Sequence, residues 1–469
     1  MKNPQDAEST LTGNRSASGF AARLGLFDAT MIVMGGIVGS GIFINPYVVA
    51  QQVHTPVLIL GAWVIGGVIA LGGAFIWAEL AATMPRVGGQ YAYLREAYHP
   101  AIAFLYGWVL LLVIQTGGMA AVAVTFAKYF LELTALHVSD GLVATLTLGI
   151  LTAINCLGVR AGSTVQSTLM LLKIAAIGAL VFCGGAFLIH HGMNTAAGTE
   201  SYRISDRPVS FGLLTAMGAA LVPVLFSYGG WQTANFVAEE IREPRKNLPR
   251  ALVIGVLGVI VLYLSVNFVC VYVLGSTGLA QTMTPASAVM RAALGSKGAA
   301  LIAVGITISA LGFLSQSILT APRVYFAMAE DGLFFRWVGW LDPRRRVPVI
   351  AIALQGVAAI IIALSGRYDQ ILSYVVSMDF LFFGLTATCI FVFRRAGSAQ
   401  WATPEPRRVT RMPGHPVTTF IFVATCWLVV INTIFTYPRN TVVGFGILFA
   451  GIPVYFLWSR QKKKRGSAT

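Results

Sequence analysis

Two short runs of small residues inside apolar segments expose backbone groups that could bind a polar ligand. The first, in MIVMGGIVGSGIFINPYVVAQQ, brings Gly39, Ser40 and Gly41 together in a stretch otherwise suited to a bilayer. Glycine costs about 1 kcal/mol relative to alanine inside a helix, so this run predicts a helix break. A break at membrane depth frees N–H and C=O groups that lipid cannot satisfy, so they must face protein, water or a ligand. The second run, FSYGG at 226–230, follows Pro223 and predicts a similar break.

Three isolated charged residues lie within apolar segments, where a charge is expensive and by default functional. Lys173 lies deep in its segment, so its ammonium needs carbonyls, hydroxyls or a carboxylate as partners, or it loses its proton. Glu79 is expected to face the interior with a partner, either in a gate or in a structural hydrogen bond. Asp379 could be a proton site or the partner of a basic residue.

The residue types needed for catalysis or metal binding do not cluster. The six histidines fall in predicted loops or helix ends, and no pair of acids accompanies them. The five cysteines lie in apolar runs without CxxC or Cys/His spacing, which indicates neither disulfides nor a metal site. The sequence therefore predicts no catalytic residues, no metal and no cofactor.

The composition is that of a polytopic membrane protein. Of 469 residues, 56% are hydrophobic and 11% are charged, and runs of helix-spanning length recur to the end. The polar first 20 residues contain no cleavable signal sequence. The runs predict an all-α protein of twelve transmembrane helices, at about 26–53, 57–84, 101–134, 140–157, 163–189, 211–242, 249–275, 298–329, 348–365, 369–393, 416–436 and 441–459.

The net charge of +15 is explained by membrane topology rather than by nucleic acid. With the N-terminus inside, 25 of the 33 basic residues fall on the cytoplasmic side. This bias predicts a cell-membrane protein, in the inner or plasma membrane, with both termini cytoplasmic. The C-terminal RQKKKR is then an anchor on the lipid surface, and no nucleic-acid partner is expected.

The two predicted breaks occupy corresponding places in two halves of the chain. Gly39 and Gly229 are 190 residues apart, and each break opens a set of five helices of opposite orientation. Such paired broken helices indicate the midplane site of a secondary transporter. The predicted organisation is a cytoplasmic tail at 1–20, one repeat at 21–195, an inverted repeat at 205–395, helices 11 and 12 at 412–460, and a basic tail at 461–469.

The longer motifs resemble those of one known group, the amino acid–polyamine–organocation superfamily, in its L-type amino acid transporter branch. The resemblance covers about residues 20 to 460. It rests on GGIVGSGIF, AELAATMPRVGGQYAYLREAY, FSYGGWQTANFVAEEIREPRKNLPRA and PRVYFAMAEDGLFF. It implies the leucine-transporter fold, a 5+5 inverted repeat plus two helices in which helices 1 and 6 are discontinuous.

The resemblance also implies a site for a substrate amino acid between the two breaks. The substrate carboxylate would take amides around Gly39, Ser40 and Gly41, and freed N–H groups at a helix N-terminus suit an anion. The amine would take carbonyls of Ile37, Phe226, Ser227 and Gly229. Phe226 matches an aromatic outer gate, with Glu79 a second candidate gate. Lys173, with Ser309 beside it, matches a lysine that stands where related transporters bind sodium.

Two positions depart from the pattern of the group. Its helix 7 commonly reads Tyr-x3-Asn-x2-Tyr, whereas this chain has Tyr263, Asn267 and Cys270. Animal members use a cysteine after helix 3 to bond a glycoprotein partner, and LELTALHVSD contains none. A prokaryotic-type member without a disulfide-linked heavy chain is therefore expected, in contact with lipid and a small-molecule substrate; the oligomeric state stays open.

The sequence favours sodium-independent exchange of neutral L-amino acids by alternating access. Proton-coupled uptake, with Lys173 as the titrating group, is the alternative within the same class. A membrane enzyme would need a catalytic constellation, and the sequence shows none. A channel or a non-transporting amino acid sensor is the remaining alternative.

Overall fold

The computed structural model describes residues 20–134, 136–191, 211–364, 368–395, 410–436 and 438–466. Their regular structure is helical, apart from an isolated parallel β-bridge between Leu24 and Ile241. A π-helical turn at Leu110–Ile114 joins α5 to α6, and 3₁₀ segments occupy Trp231–Glu240 and Arg336–Gly339. The helices are α1 (Leu26–Ile37), α2 (Gly41–Gln52), α3 (Pro56–Thr83), α4 (Gln90–Ala97), α5 (Pro100–Val109), α6 (Gln115–Thr134), α7 (Asp140–Cys156), α8 (Val159–His191), α9 (Phe211–Tyr228), α10 (Pro244–Gln281), α11 (Pro285–Thr320), α12 (Pro322–Glu330), α13 (Val349–Leu364), α14 (Tyr368–Arg395), α15 (Val417–Thr436) and α16 (Pro438–Gly466).

The lengths and apolarity of these helices are those of an all-helical membrane protein. Among the described residues, nine helices are long and apolar enough to cross a bilayer, and the bent pair α1 and α2 forms a tenth candidate span. Two shorter apolar helices, α7 and α13, accompany them. Backbone polar groups in lipid must be satisfied internally, which a helical chain achieves within each span.

Most predicted helices are present with ends shifted by a few residues, and the larger differences have local causes. The predicted helix 249–275 is part of the longer α10, in which Gly275 takes a positive φ of 70°. The predicted helix 298–329 is divided between α11 and α12. The prediction for 101–134 missed the π-helical turn. A single turn with hydrogen bonds between residues i and i+5 leaves no periodic signal in the sequence.

The predicted tails lie mostly outside the described residues. Of the N-terminal tail, only Phe20 is described. In the basic C-terminal tail the helix α16 extends to Gly466, and the last three residues lie outside the described ranges. The connection at 192–210, between the two predicted repeats, is also outside them.

The two interrupted spans lie at the centre of the helix assembly. α1 contacts α8, α10 and the 3₁₀ segment Trp231–Glu240, while α9 packs on α2 and α3. α11 contacts both α1 and α2 and packs along α8. α15 instead packs on α14 and α3, and α16 packs on α14 and α5. The breaks are therefore enclosed by protein on several sides, which is where irregular backbone at membrane depth can persist.

Candidate functional site

The first break separates α1 from α2 by three non-helical residues and a bend of 41°. Val38 is extended, with φ −75° and ψ 94°, so the helical hydrogen-bond ladder stops there. The backbone N–H groups of Gly39, Ser40, Gly41 and Ile42 donate to no described residue. These groups form the N-terminus of α2, whose partial positive charge suits an anion.

Three side chains from surrounding helices bind the carbonyl groups that this break exposes. Lys173 of α8, which is fully buried, donates from its Nζ to the carbonyl of Val38. Ser309 of α11 donates from Oγ to Gly39 O at 3.3 Å. Tyr263 of α10 donates to Ile37 O at 3.1 Å. The bent conformation is therefore held by specific partners.

The second break lies at Gly229 and Gly230, at the end of the FSYGG run and at the glycine predicted from the sequence. α9 passes through Pro223 and continues to Tyr228, so neither the proline nor the start of the FSYGG run interrupts it. Gly230 has φ 113°, and a Cβ built on it would lie 2.1 Å from Gly36 O. The backbone of α1 thus occupies the space of a side chain at Gly230. Beyond it the chain forms a 3₁₀ segment rather than continuing the helix predicted for 211–242.

Two polar side chains connect the breaks across a short distance. The hydroxyl of Tyr263 lies 3.2 Å from Ser227 O as well as within bonding distance of Ile37 O. A phenol carries one proton, so it can serve only one of these carbonyls at a time. Asn45 of α2 donates from Nδ2 to Ser227 Oγ at 2.6 Å and to Pro223 O at 3.0 Å.

A cavity of about 460 Å³ lies between the breaks. It is lined by all seven residues predicted to bind substrate, namely Ile37, Gly39, Ser40, Gly41, Phe226, Ser227 and Gly229. α6 and α14 contribute Gln115 and Asp379 to its wall. Among the described lining residues there is no lysine, arginine or histidine. The cavity therefore offers backbone dipoles, uncharged polar groups and one carboxylate.

The cavity opens toward the surface at Met283, which is 71% exposed and lines the cavity together with Val48. Further along the chain from the lining residues Thr233 and Gln316, Glu240 accepts two bonds of 2.6 and 3.2 Å from Arg323 of α12, and both side chains are buried. The amides of Arg23 and Leu24 donate to Glu240 O at 2.9 Å each. We call this assembly of residues 20–24, Glu240 and Arg323 the inner seal.

The helix α4 and the residues just before it add a second set of contacts near the inner seal. Gly88 N donates to Phe236 O at 3.1 Å, and Val87 N donates to Glu239 Oε1 at 3.0 Å. The hydroxyl of Tyr91 donates to Asp331 Oδ2 at 2.8 Å. Burial, reinforced by the negative charge of Asp331, raises the pKa of Tyr91 well above its usual value. Tyr91 therefore stays a neutral donor over the physiological pH range.

Glu79 lies outside the cavity lining. Its carboxylate accepts two bonds of 2.7 Å from Arg394 and a third of 2.6 Å from the backbone N–H of Met412. These bonds join α3 to α14 and to the segment that precedes α15. The expected partner is thus present, and the contact is between helices rather than with the cavity.

The histidines, cysteines and acids of the described ranges form no metal centre. Nowhere in those ranges do three or more of these residues lie close enough together to hold a metal ion. The cysteines described are free, and Cys270, which replaces the tyrosine of the sequence pattern, is buried in α10.

Several contacts at the site were missed by reasoning from sequence. Asn45 was not singled out, and Tyr263 was noted only as part of the helix 7 pattern. Each is a single polar residue in an apolar helix, which is a usable signal. However, their partners are backbone or hydroxyl groups from distant parts of the chain, which sequence spacing cannot identify.

The chain is similar to known amino acid transporters over most of its length. The sequence profile of the family described as amino acid permease matches residues 24–458. The serine/threonine exchanger SteT of Bacillus subtilis is 29% identical over 95% of this chain and 98% of that protein. The large neutral amino acids transporter small subunit 2 of Homo sapiens is 28% identical over 98% of this chain and 86% of that protein. The b(0,+)-type amino acid transporter 1 of Homo sapiens is 28% identical over 84% of this chain and 80% of that protein.

Proposed function

This chain belongs to the amino acid permease family and is a membrane transporter of amino acids rather than an enzyme, and we propose that it exchanges neutral amino acids without sodium by alternating access. The observation that carries the proposal is the meeting of two helix breaks in one cavity. Residues with unpaired N–H groups and residues whose carbonyl groups lie at the breaks line the same space. A zwitterion needs those two kinds of partner.

In this proposal the amino acid lies between the breaks. Its carboxylate accepts hydrogen bonds from the free amides around Gly39, Ser40 and Gly41 at the positive end of α2. Its amine donates to carbonyls of Ile37, Phe226, Ser227 and Gly229. The Tyr263 hydroxyl has one proton and can donate to only one of the carbonyls of Ile37 and Ser227 at a time. An ammonium has three protons, so the substrate amine can donate to the carbonyl that Tyr263 leaves without a donor.

Independence from sodium is supported by the contacts of Lys173 and Ser309. The Lys173 ammonium binds the carbonyl of Val38, and the Ser309 hydroxyl binds that of Gly39. Carbonyl and hydroxyl oxygens are the ligands that a sodium ion would use in a broken-helix transporter. A resident positive charge there stabilises the bent span in place of a transported cation.

Neutral rather than acidic substrates are supported by the charged groups of the cavity wall, whose described residues include one carboxylate, Asp379. Backbone groups compensate both charges of the zwitterion, and no described cationic side chain lines the wall to bind an acidic substrate. Relatives whose names specify serine and threonine, or large neutral amino acids, agree with this choice.

The finer architecture belongs to the same proposal. Ten candidate spans together with α7 and α13 make twelve crossings, which divide into the repeats 21–195 and 205–395 and the two helices within 412–460. With both termini cytoplasmic in a plasma membrane, the open end of the cavity faces outward and the inner seal faces the cytoplasm. Phe226 then gates the outer side, and the Glu79–Arg394 contact couples helices that move during gating. No disulfide-linked heavy chain is expected.

Exchange is tested with the purified protein in proteoliposomes loaded with unlabelled serine. Uptake of labelled serine should require internal amino acid and should be unchanged when sodium is replaced by choline. Empty liposomes are the matched control. Uptake that needs a sodium gradient would contradict the proposal, and accumulation driven by a pH gradient without internal amino acid would establish proton coupling instead.

A further inference from the structure

We propose that Asp379 recognises the side chain of the transported amino acid by accepting a hydrogen bond from a donor at its end. The preferred substrates would then carry a side-chain hydroxyl rather than a purely aliphatic group. The inference rests on the proposed function, because it concerns the same cavity, and it adds the residue that sets the substrate class.

Asp379 differs from the other interior acids of the described ranges in having no partner among the residues described. Glu79 is bound by Arg394, Glu240 by Arg323, and Asp331 by Arg95 and Tyr91. The carboxylate of Asp379 makes no hydrogen bond or ion pair with any described residue, and it lines the cavity. Asp379 is partly exposed, and an unpaired acid at a cavity wall within a membrane helix is available for a ligand.

The surroundings of Asp379 suit a side chain that is mostly apolar with one donor. Val375, Val376 and Phe380 line the cavity from the same helix, α14, and Ile114 lines it from the π-helical turn. That turn packs against α14 and leads directly into Gln115, the polar residue that α6 contributes to the wall. π-Helical turns often occur at functional sites, where they place the next side chain.

A hydroxyl and a methyl group on the ligand differ in the free energy of binding beside Asp379. When a ligand fills the cavity, water leaves the carboxylate of Asp379. A hydroxyl on the ligand replaces that water, whereas a methyl group leaves the acceptor without a partner. Sites built to bond a hydroxyl reject analogues that lack it for this reason. Hydrogen bonds to a charged group correspond to about ten- to a hundredfold in affinity.

The experiment compares matched amino acids by calorimetric titration of the purified full-length protein. Wild-type protein should bind serine about tenfold more tightly than alanine, and threonine more tightly than 2-aminobutyrate. Asp379→Leu should abolish both preferences while alanine still binds. Asp379→Asn, which keeps the shape and one acceptor oxygen, should retain part of them. Asp140→Asn, at the start of α7 and away from the cavity lining, is the matched control.

A second pair of ligands, ornithine and norvaline, tests whether Asp379 prefers an ammonium over a hydroxyl as the side-chain donor. If ornithine is preferred and Asp379→Asn removes that preference, Asp379 is the recognising residue but the proposal of neutral substrates is wrong. An unchanged serine-to-alanine ratio in folded Asp379→Leu overturns the inference and leaves transport intact. If the wild-type protein binds no amino acid, both the inference and the proposed function fail.

Discussion

At Gly41 the lack of a side chain allows α2 and α9 to approach closely. A Cβ built there would lie 2.9 Å from Ser227 Oγ and 3.3 Å from Asn45 Nδ2. Those two side chains are joined by the hydrogen bond that holds the breaks together. A branched side chain at this position would therefore displace the contact and fill the space in front of the free amides.

We predict that Gly41→Val abolishes amino acid binding in a protein that still folds. Steric exclusion at the amides of Ser40 and Gly41 should lower the affinity for serine at least tenfold, as measured by titration calorimetry. Gly178→Val, in α8, is the matched control, since a Cβ built on Gly178 would meet no described atom within 4 Å. Wild-type affinity in folded Gly41→Val would contradict the site.

The residues of the first break could be predicted because glycines clustered in an apolar run indicate a break. Clustered glycines in an apolar run are costly unless the backbone is used, and Gly39, Ser40 and Gly41 do line the cavity. The second break is predicted at Gly229, but Pro223, which is part of the same prediction, does not interrupt the helix. A proline removes one helical hydrogen bond, which α9 tolerates, whereas Gly230 is required by the approach of Gly36.

Among the elements, the inner seal joins three separate parts of the chain. Residues 20–24 pair with the 3₁₀ segment through Glu240 and Ile241, and Arg323 of α12 binds the Glu240 carboxylate. Phe20 packs edge-on against Phe326, and the Arg323 guanidinium lies 5.9 Å from the centre of the Phe20 ring. These contacts must separate if the inner seal is to open.

We predict that Glu240→Gln loosens the inner seal. Removing one partner of a buried ion pair leaves the other charge uncompensated and costs about 3–5 kcal/mol. Hydrogen–deuterium exchange should rise in residues 20–26 and 231–241, and the melting temperature should fall.

The control for the seal is Glu243→Gln, whose pair with Lys246 is more than half exposed on both sides. Exposed pairs contribute about 0–1 kcal/mol, so this variant should behave as wild type. Unchanged exchange in Glu240→Gln would show that the ion pair does not hold the seal.

Helical periodicity predicted most elements but not how they deviate from the α-helix. The π-helical turn before Gln115 and the 3₁₀ segment after Gly230 both lie in apolar or amphipathic runs that read as ordinary helix. Their geometry depends on packing against α14 and α1, which involves residues distant in sequence. The inner seal was missed for the same reason, since Glu240 and Arg323 are 83 residues apart.

For the whole molecule, the central claim is that a zwitterion is held by backbone groups from two broken helices. The enclosure of both breaks by α3, α8, α10 and α11 keeps those groups away from lipid. A cavity with the exposed residue Met283 in its lining and a buried ion pair beyond the lining is compatible with alternating access.

The most direct test is titration calorimetry of the purified protein with alanine, alanine methyl ester and N-acetylalanine. The ester lacks the carboxylate charge and the acetyl derivative lacks the ammonium, while the side chain is constant. Because each end of the zwitterion has its own set of backbone partners, we predict that both analogues bind at least tenfold more weakly than alanine. If either analogue bound with an affinity within twofold of that of alanine, a difference in binding free energy of about 0.4 kcal/mol or less, the result would contradict the account.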